Sequence, residues 1–590
     1  MIILGLSFDY HDAAAALLAD GEIVAAAQEE RFTRIKHDER IPVKSIEFCL
    51  KHCGIRPGDV DRVVFYEKPL KKLDRILHSS ISDGVVNAAY LNKAMQSWIQ
   101  SDRLSFAQRI HEETGIDKAK VRSITHHLSH AASAFFCSPF TEATVITLDG
   151  VGEWETVTVS VGRGNDLQKL YSISFPDSIG LFYSAFTAFL GFEVNEGEYK
   201  VMGMAGFGKP LYADKIRSLV RMNEDGGFSL DQTYFNFRQL TKLPFTERLI
   251  DLLGPPRKPE SVFLVEDKEG DKQNTKEIES SSRHYANIAA SVQVVTEELI
   301  LHIAETATRR TGIASIALAG GVALNSLANA RLLALTGNRL FVQPAAGDSG
   351  AALGAALWQS VAVEGASRPA AFSNPYLGES WAGRVESELR EIGVRTYQRY
   401  DDFDELAVEV AGLLAKNIVI GWMQGRFEWG ARALGARSIL ANPCSQDMKR
   451  VVNEKIKLRE PFRPFAPAVL ESYASKYFDI DSSIDCSEPA NFMLAVFNVK
   501  DLMKDRIPAV THVDGTARVQ IVRREVSPRF HTLISAFHKI TGIPVLLNTS
   551  FNLRGEPIVN SPRDALNTFS LSGMDFLVIE NCIINKKNLK

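Results

Sequence analysis

Residues 144–173 read TVITLDGVGEWETVTVSVGRGNDLQKLYSI: an apolar run ending on Asp149, a glycine turn, a β-rich run, a second glycine turn and a third run. Apolar stretches bounded by Gly, Asn and Asp are the pattern of strands joined by tight turns. The same order opens the chain. Residues 2–30, IILGLSFDYHDAAAALLADGEIVAAAQEE, give a strand, a polar turn over Asp9–Asp12, a strand, an Asp20-Gly21 turn and another strand. Each copy carries an aspartate at its first turn, Asp9 and Asp149, 140 positions apart.

A duplicated strand–aspartate–turn–strand unit is what a two-lobed, actin-like (ASKHA) nucleotide-binding fold needs, because two such hairpins then face one cleft. The expected class is α/β, with this duplicated domain over residues 1–365. Apolar spacing predicts helices over Val43–Cys53, Tyr90–Gly115, His126–Phe136 and Tyr285–Gly312, while the charge-rich residues 255–283 read as a solvated excursion. IALAGG (316–321), a helix, and LFVQPAAGDSGAALGAALW (340–358) continue the strand–turn–helix grammar. Residues 366–379 turn to Ser, Pro, Gly and Asn and mark a domain boundary. A second α/β domain is expected over residues 380–590.

Composition narrows the function classes. A chain of 590 residues exceeds one hydrophobic core. With 45% hydrophobic and 23% charged residues it has ordinary globular composition, which excludes disordered, collagen-like and coiled-coil classes. A net charge of -4 disfavours whole-chain binding to nucleic acid or an anionic membrane. The charge-free run Thr311–Ala330 contains Gly-Gly and two Asn, so it reads as buried strand and loop rather than a membrane span. The N-terminus lacks a basic leader, and six cysteines without a C-x-x-C pair exclude a zinc ribbon or disulfide scaffold, so the expected location is the cytoplasm.

Several clusters could carry chemistry. His126 and His130 stand at i and i+4 on one helix face, a spacing suited to two imidazoles on one metal; Asp149 and Asp348 are candidate carboxylate donors, and a surface histidine cluster is the alternative. Such a set suits Fe or Zn better than Mg. Gly320-Gly321 with Asn325, the Gly347–Gly350 turn, and EYKVMGMAGFG (198–208), read as a glycine loop flanked by Lys200 and Lys209, are candidate nucleotide or anion sites. Arg426–Arg463 holds nine basic residues, at 426, 432, 437, 449, 450, 455, 457, 459 and 463, against acids at 428, 447, 454 and 460. That +5 stretch in an acidic chain points to a phosphate-rich small ligand rather than DNA, with a solvated basic face as the alternative. LNTSFN (547–552) follows the apolar strand IPVLL, where α/β proteins usually bind ligands.

Eleven ordered motifs together resemble the O-carbamoyltransferase family of NodU/CmcH type, to which the tobramycin carbamoyltransferase belongs. They are HDAAAALLADGEI, EERFTRIKH, HHLSHAASAF, DGVGEWET, EYKVMGMAGFG, GGVALN, GDSGAALGAA, GRFEWGARALGARSIL, KLREPFRPFAP, HVDGTARVQ and NTSFNLRGEPIV. Ala431, Ala436 and Gly206 depart from the family's usual residues, and none of them removes a charge. The resemblance implies an actin-like N-terminal domain and a YrdC-like C-terminal domain that makes carbamoyladenylate from carbamoyl phosphate and ATP. It implies the first step for Arg432, Lys457, Arg463, Asn491, Arg518, Asn548 and Ser550, with Mg accompanying ATP. A transition metal, Fe before Zn, is implied on His126, His130, Asp149 and Asp348. The nucleotide is implied near Lys36, Gly180, Gly320, Gly321 and Asn325. His11 is implied as general base for the acceptor hydroxyl, with Asp9 among the substrate-binding residues and Asp9 or Asp12 holding the His11 tautomer.

The implied acceptor is a hydroxylated small molecule, a natural product such as an antibiotic, in a pocket built by residues 65–115. A homodimer is left open. A tRNA threonylcarbamoyl transferase is disfavoured by the acidic balance and the fused second domain. A hydrogenase-maturation enzyme would carry C-x-x-C modules, and a sugar kinase or nucleotide-binding regulator leaves the histidine pair and the basic stretch without a purpose.

Overall fold

The computed structural model describes residues 1–590 except 83, 84, 87, 239–242, 264–271, 482–488 and 590. Contacts divide the chain into two compact units. The first comprises Met1–Tyr10, Ala16–Ile23 and Gly54–Ala370; the second comprises His11–Ala15, Val24–Cys53 and Ala371–Lys590. The break near 370 falls in the Ser/Pro/Gly stretch, but the linear division 1–365 and 380–590 misses two N-terminal pieces that group with the second unit. Local pattern cannot reveal this, because the bonds responsible span about 500 residues. Arg34 donates to the carbonyls of Ile558 (2.7 Å) and Pro557 (2.8 Å), and Phe32 and Phe48 pack around Phe427.

Strands β1 (Ile2–Ser7), β2 (Ala14–Ala19), β3 (Glu22–Gln28), β4 (Arg62–Phe65) and β5 (Val121–Ser123) form a sheet in the order β3-β2-β1-β4-β5. Strands β6 (Glu142–Leu148), β7 (Glu155–Arg163), β8 (Asp166–Ser174), β9 (Ile316–Ala319) and β10 (Leu340–Val342) form a second, in the order β8-β7-β6-β9-β10. Both sheets thus run third, second, first, fourth, fifth. In both, the first strand pairs parallel with the fourth and the fourth with the fifth. This repeat is the duplicated actin-like architecture. The central strands are buried along nearly their whole length, which explains why they read as continuous apolar runs.

Five helices carry or support the candidate site residues: α1 (His126–Cys137), α2 (Ile179–Phe189), α3 (Lys272–Thr311), α4 (Ser326–Thr336) and α5 (Asp348–Leu357). All ten residues of α5 are buried. A Cβ on Gly354 would lie 1.8 Å from the Ser129 carbonyl oxygen of α1, and one on Gly5 of β1 would lie 1.9 Å from the Ala352 oxygen of α5. Small residues therefore let α5 touch α1 and β1 at backbone distance.

Three local expectations are corrected. Tyr90–Gly115 is two helices, Ala88–Gln100 and Phe106–Thr114, broken where Asp102 takes a left-handed φ of 44°. Helix α3 starts at Lys272, so part of the charged excursion is helix, while 264–271 lie outside the described residues. The supposed glycine loop at 198–208 is a helix over Glu198–Ala205.

The second unit holds β11 (Gln398–Arg399), β12 (Ile420–Met423), β13 (Arg437–Ala441), β14 (Ala466–Leu470), β15 (Gln520–Val522), β16 (Val545–Ser550), β17 (Phe576–Ile579) and β18 (Cys582–Asn585). They form one mixed sheet in the order β11-β18-β17-β12-β13-β16-β14-β15. Among the described residues no helix is long and apolar enough to cross a membrane.

Gly354→Val should lower unfolding free energy by about 3 kcal/mol or more, at or above the upper end for inserting atoms into a packed core. Denaturant titration checks it. A loss within 0.5 kcal/mol, the range of an ordinary surface substitution, would mean the helices part easily.

Candidate functional site

Helix α1 follows extended Thr125 and presents His126 and His130 on one face, both buried. The N-terminus of α5 presents Asp348, also buried, and the tip of β6 presents Asp149. His126 Nε2 lies 2.9 Å from Asp149 Oδ2, 3.1 Å from His130 Nε2 and 3.6 Å from Asp348 Oδ1. His130 Nε2 lies 3.8 Å from Asp149 Oδ2 and 3.6 Å from Asp348 Oδ1. Two imidazole nitrogens this close repel unless a proton or cation lies between them, and the two carboxylates supply negative charge for one. Burial opposes charge on His126, but Asp348 and Asp149 outweigh it and lift its pKa to about 9. A metal on these four side chains would take that proton's place, so the donor set fits a metal ion.

The surroundings fix each donor. The Tyr66 hydroxyl donates to Asp348 Oδ2 (3.4 Å). The Glu153 carboxylate accepts the His126 N–H (3.0 Å) and the Lys68 N–H (2.7 Å). His127 faces away, its ring nitrogens 2.6 Å from Thr147 Oγ1 and 2.8 Å from the Glu155 carbonyl oxygen, and burial pushes its pKa down to about 3. His127 is a core histidine. Sequence reading did not single out Tyr66 or Glu153, since nothing local marks either one.

The glycines expected near nucleotide shape the same hairpin. Gly320, at φ 97°, would bring a Cβ within 2.1 Å of the Leu148 oxygen, and the Gly321 N–H donates to Asp149 Oδ1 (3.0 Å). A Cβ on Gly180 would lie 2.7 Å from the Asp149 oxygen, so its absence lets α2 approach the turn. Asn325 caps α4 by accepting the Ala328 N–H (3.1 Å) and exchanges hydrogen bonds with Gln293. Asp9 is taken up by Arg109, which donates to its two oxygens at 2.7 Å and 2.8 Å.

In the second unit two of the nine basic residues are spent on backbone carbonyls. Arg437 is fully buried and donates to the carbonyls of Asn560, Gln424, Gly425, Ala436 and Glu379, while Arg426 donates to those of Gly378 and Val24. These two hold the fold, which corrects the reading of Arg426–Arg463 as one basic patch. The others that converge are drawn from well-separated segments. Lys457 Nζ lies within hydrogen-bonding distance of the Ser550 oxygen (2.7 Å), Ser550 Oγ (3.2 Å), the Asn552 oxygen (2.9 Å) and Asn552 Oδ1 (2.5 Å) and shares its three N–H groups among them. Burial, with Arg459, Arg463 and Lys36 adding to it against Glu556, holds Lys457 well below the usual lysine range. Burial and the charges of Arg432, Arg459 and Arg463 hold Arg518 well below the usual arginine range. Asn548 Nδ2 donates to Gln520 (2.8 Å) and to the Ala433 carbonyl (3.2 Å), leaving Oδ1 buried without a hydrogen-bond partner. Asn491 is buried in a short helical turn, Pro489–Phe492. Lys36, expected near the nucleotide of the first domain, belongs to this unit, and Arg459, counted in the basic stretch but not among the residues implied for the first step, acts on both Lys457 and Arg518. Cations gathered this closely repel one another, and polyanions relieve that repulsion.

His11 also groups with the second unit. Its Nδ1 lies 3.0 Å from Asp12 Oδ2, and His37 Nδ1 lies 2.8 Å from Asp12 Oδ1. Of the two aspartates considered for the His11 tautomer, Asp12 is the one bonded to it.

Residues 2–357 match the family model of the carbamoyltransferase N-terminus, and residues 411–586 that of the carbamoyltransferase C-terminus. An uncharacterized protein of Synechocystis is 41% identical, covering 99% of this chain and 96% of its own. The nodulation protein NolNO of Sinorhizobium fredii is 35% identical, covering 98% and 79%. Nodulation protein U of Rhizobium tropici is 28% identical, covering 92% and 90%. Among solved structures, component A of the (R)-2-hydroxyglutaryl-CoA dehydratase of Acidaminococcus fermentans has a TM-score of 0.32 at 16% identity, covering 61% of this chain and 99% of its own. HypF of T. kodakarensis has a TM-score of 0.31 at 16% identity, covering 62% and 48%.

The purified chain should carry one metal ion that elemental analysis finds missing from His126→Ala/His130→Ala, because two of four donors are gone. Unchanged metal content would refute the donor set.

Proposed function

The chain belongs to the carbamoyltransferase family, and on that premise we propose that it is an ATP-dependent O-carbamoyltransferase working in two half-reactions. In the first, carbamoyl phosphate, water and ATP give carbamoyladenylate, phosphate and pyrophosphate. In the second, an acceptor hydroxyl attacks the carbamoyl carbon and AMP leaves. The observation that carries this reading is the cation cluster of Arg432, Lys457, Arg459, Arg463 and Arg518, in which burial first and the neighbouring cations second hold Lys457 and Arg518 well below their usual ranges. Carbamoyl phosphate and ATP are both polyanions that repel each other, and such a cluster neutralises and orients them. Asn491, Asn548 and Ser550 supply neutral hydrogen-bonding groups, and Mg accompanies the ATP.

Carbamoyl transfer is assigned to the residues of the actin-like architecture together with His11. Gly180, Gly320, Gly321 and Asn325 shape the ground around Asp149 where a nucleotide would be received. His126, His130, Asp149 and Asp348 would hold Fe or Zn, which when bound supplies Lewis acidity toward the anhydride. His11, its Nδ1 on Asp12, has the tautomer of a general base at Nε2. The acceptor is the hydroxyl of a small molecule, a natural product. Free thiols at Cys49, Cys53, Cys137, Cys444 and Cys582 and the use of ATP suit the cytoplasm.

Arg518→Ala tests the first half-reaction. Losing one charged contact to a phosphoryl group costs about 2 to 5 kcal/mol, so carbamoyl-phosphate-dependent ATP–pyrophosphate exchange should vanish while transfer from supplied carbamoyladenylate persists. Normal exchange in this variant sinks the assignment. His11→Ala tests the second: exchange stays intact and carbamoylated product falls by at least about a hundredfold, the lower bound for a general base. A fall of only a few-fold makes His11 structural.

A further inference from the structure

Asn453 is fully buried in a wide-turn helix, Val451–Ile456, that leads into Lys457. Its side chain is spent on the segment that carries three of the cations. Oδ1 accepts from Arg459 Nε (2.7 Å), and Nδ2 donates to the carbonyl oxygens of Pro461 (3.2 Å) and Arg463 (3.0 Å). A guanidinium only donates and a carbonyl only accepts, so these partners decide which way the amide points. They also decide the residue type. A carboxylate would set its oxygens against the two carbonyls, and an apolar side chain would give up all three bonds.

The main chain joins the same arrangement. The Lys457 N–H donates to the Val452 oxygen (2.9 Å), five residues back where an α-helix uses four, and the Asn453 oxygen accepts the Arg459 N–H (3.1 Å). Between these two bonds Leu458 takes a left-handed φ of 50°, which costs a residue with a Cβ free energy and persists only where the surroundings enforce it. The leucine side chain is 55% exposed, so the compensation comes from the bonds on either side rather than from its packing. The Arg459 guanidinium also lies 4.8 Å from the centroid of the buried Phe465 ring. Beyond their burial, Lys457 and Arg518 both feel the charges of Arg459 and Arg463, so the places of those two arginines set the spacing of the cluster.

We propose that Asn453 is a positioning residue of the first half-reaction, whose amide fixes Arg459 and the main chain of Arg463 relative to Lys457, so that a polyanion meets the cations already assembled. The inference rests on the reading of the cluster as the site of carbamoyl phosphate and ATP. Like charges brought together repel, and without an anchor they spread in the free protein; gathering them again would then draw on the free energy of binding. The oxygen and both N–H groups of the Asn453 side chain are engaged by the chain itself, so Asn453 acts through the arginines rather than on the substrates.

The test is calorimetric titration of the full chain with inorganic pyrophosphate, a product of the first half-reaction, well below the melting transition of each variant. Binding that Arg518→Ala removes is binding at the cluster. Asn453→Ser should raise the pyrophosphate Kd by at least about tenfold, the lower end for a lost hydrogen bond to a charged group. The same change made in Arg459→Met should cost at least about threefold less, because the two residues act together. A lower melting temperature with an unchanged Kd, or costs that multiply to within about twofold as independent sites do, overturns the proposal. If Asn453→Ser does not fold, Arg459→Lys decides, since it keeps the charge and drops the Nε bond: its Kd must rise by at least about tenfold, and an unchanged one overturns the proposal. A wild type that binds no pyrophosphate, or binds it equally well as Arg518→Ala, refutes the polyanion reading of the cluster and takes this proposal with it. Wild-type binding that Asn453→Ser leaves untouched refutes the positioning role alone.

Discussion

A Cβ on Gly354 would sit 1.8 Å from the Ser129 carbonyl, and the four-donor cluster of the first unit depends on the helix approach that this glycine permits. Helix α1 carries both imidazoles and α5 carries Asp348 at its first residue. Separating the helices by the width of one methyl group would take Asp348 out of reach of His126 and His130, which lie 3.6 Å from it. The run of Ala, Gly and Ser in both helices follows from this requirement. Asp149, the remaining donor, is placed separately by the tip of β6 and fixed by the Gly321 N–H, on a turn that Gly180 and Gly320 keep open.

The second unit solves the opposite electrostatic problem. Its cations come from segments far apart in sequence; Arg463 lies 3.5 Å from Glu460, while Lys457 is held by the carbonyl and amide oxygens of Ser550 and Asn552. Such bonds hold an ammonium in place and leave its charge available to an anion. Arg426 and Arg437 show the contrasting use, in which the guanidinium is spent on backbone carbonyls. The shared Asp12 is a third arrangement, in which one carboxylate serves two imidazoles.

Much of this was legible before any coordinates. The duplicated hairpins predict the two sheets with one strand order, because a buried parallel strand writes itself as an apolar run and a tight turn as Gly, Asn or Asp. His126 and His130 declare themselves by i,i+4 spacing, and the GDSG turn points to Asp348. The remainder depends on contacts that no local pattern encodes. Arg432 and Arg437 look alike in GARALGARSIL, and only carbonyls far along the chain, those of Glu379 and Asn560, mark Arg437 as structural. Asp9 and Asp12 flank His11 almost symmetrically in sequence, yet Arg109, 100 residues away, takes Asp9 and leaves Asp12 to the imidazole. The helix at Glu198–Ala205 hid behind glycines, whose propensity tertiary packing overrode. Arg34 and its bonds to Ile558 and Pro557 explain why residues 24–53 group with the second unit.

The central claim is that the carbamoyl group is activated as an adenylate. Phosphorus NMR of the products formed by the full chain from ATP, with and without carbamoyl phosphate, tests it directly. The account predicts phosphate together with AMP, either free or as carbamoyladenylate, and pyrophosphate, all dependent on carbamoyl phosphate. ADP as the nucleotide product, or AMP released equally well without carbamoyl phosphate, would contradict it.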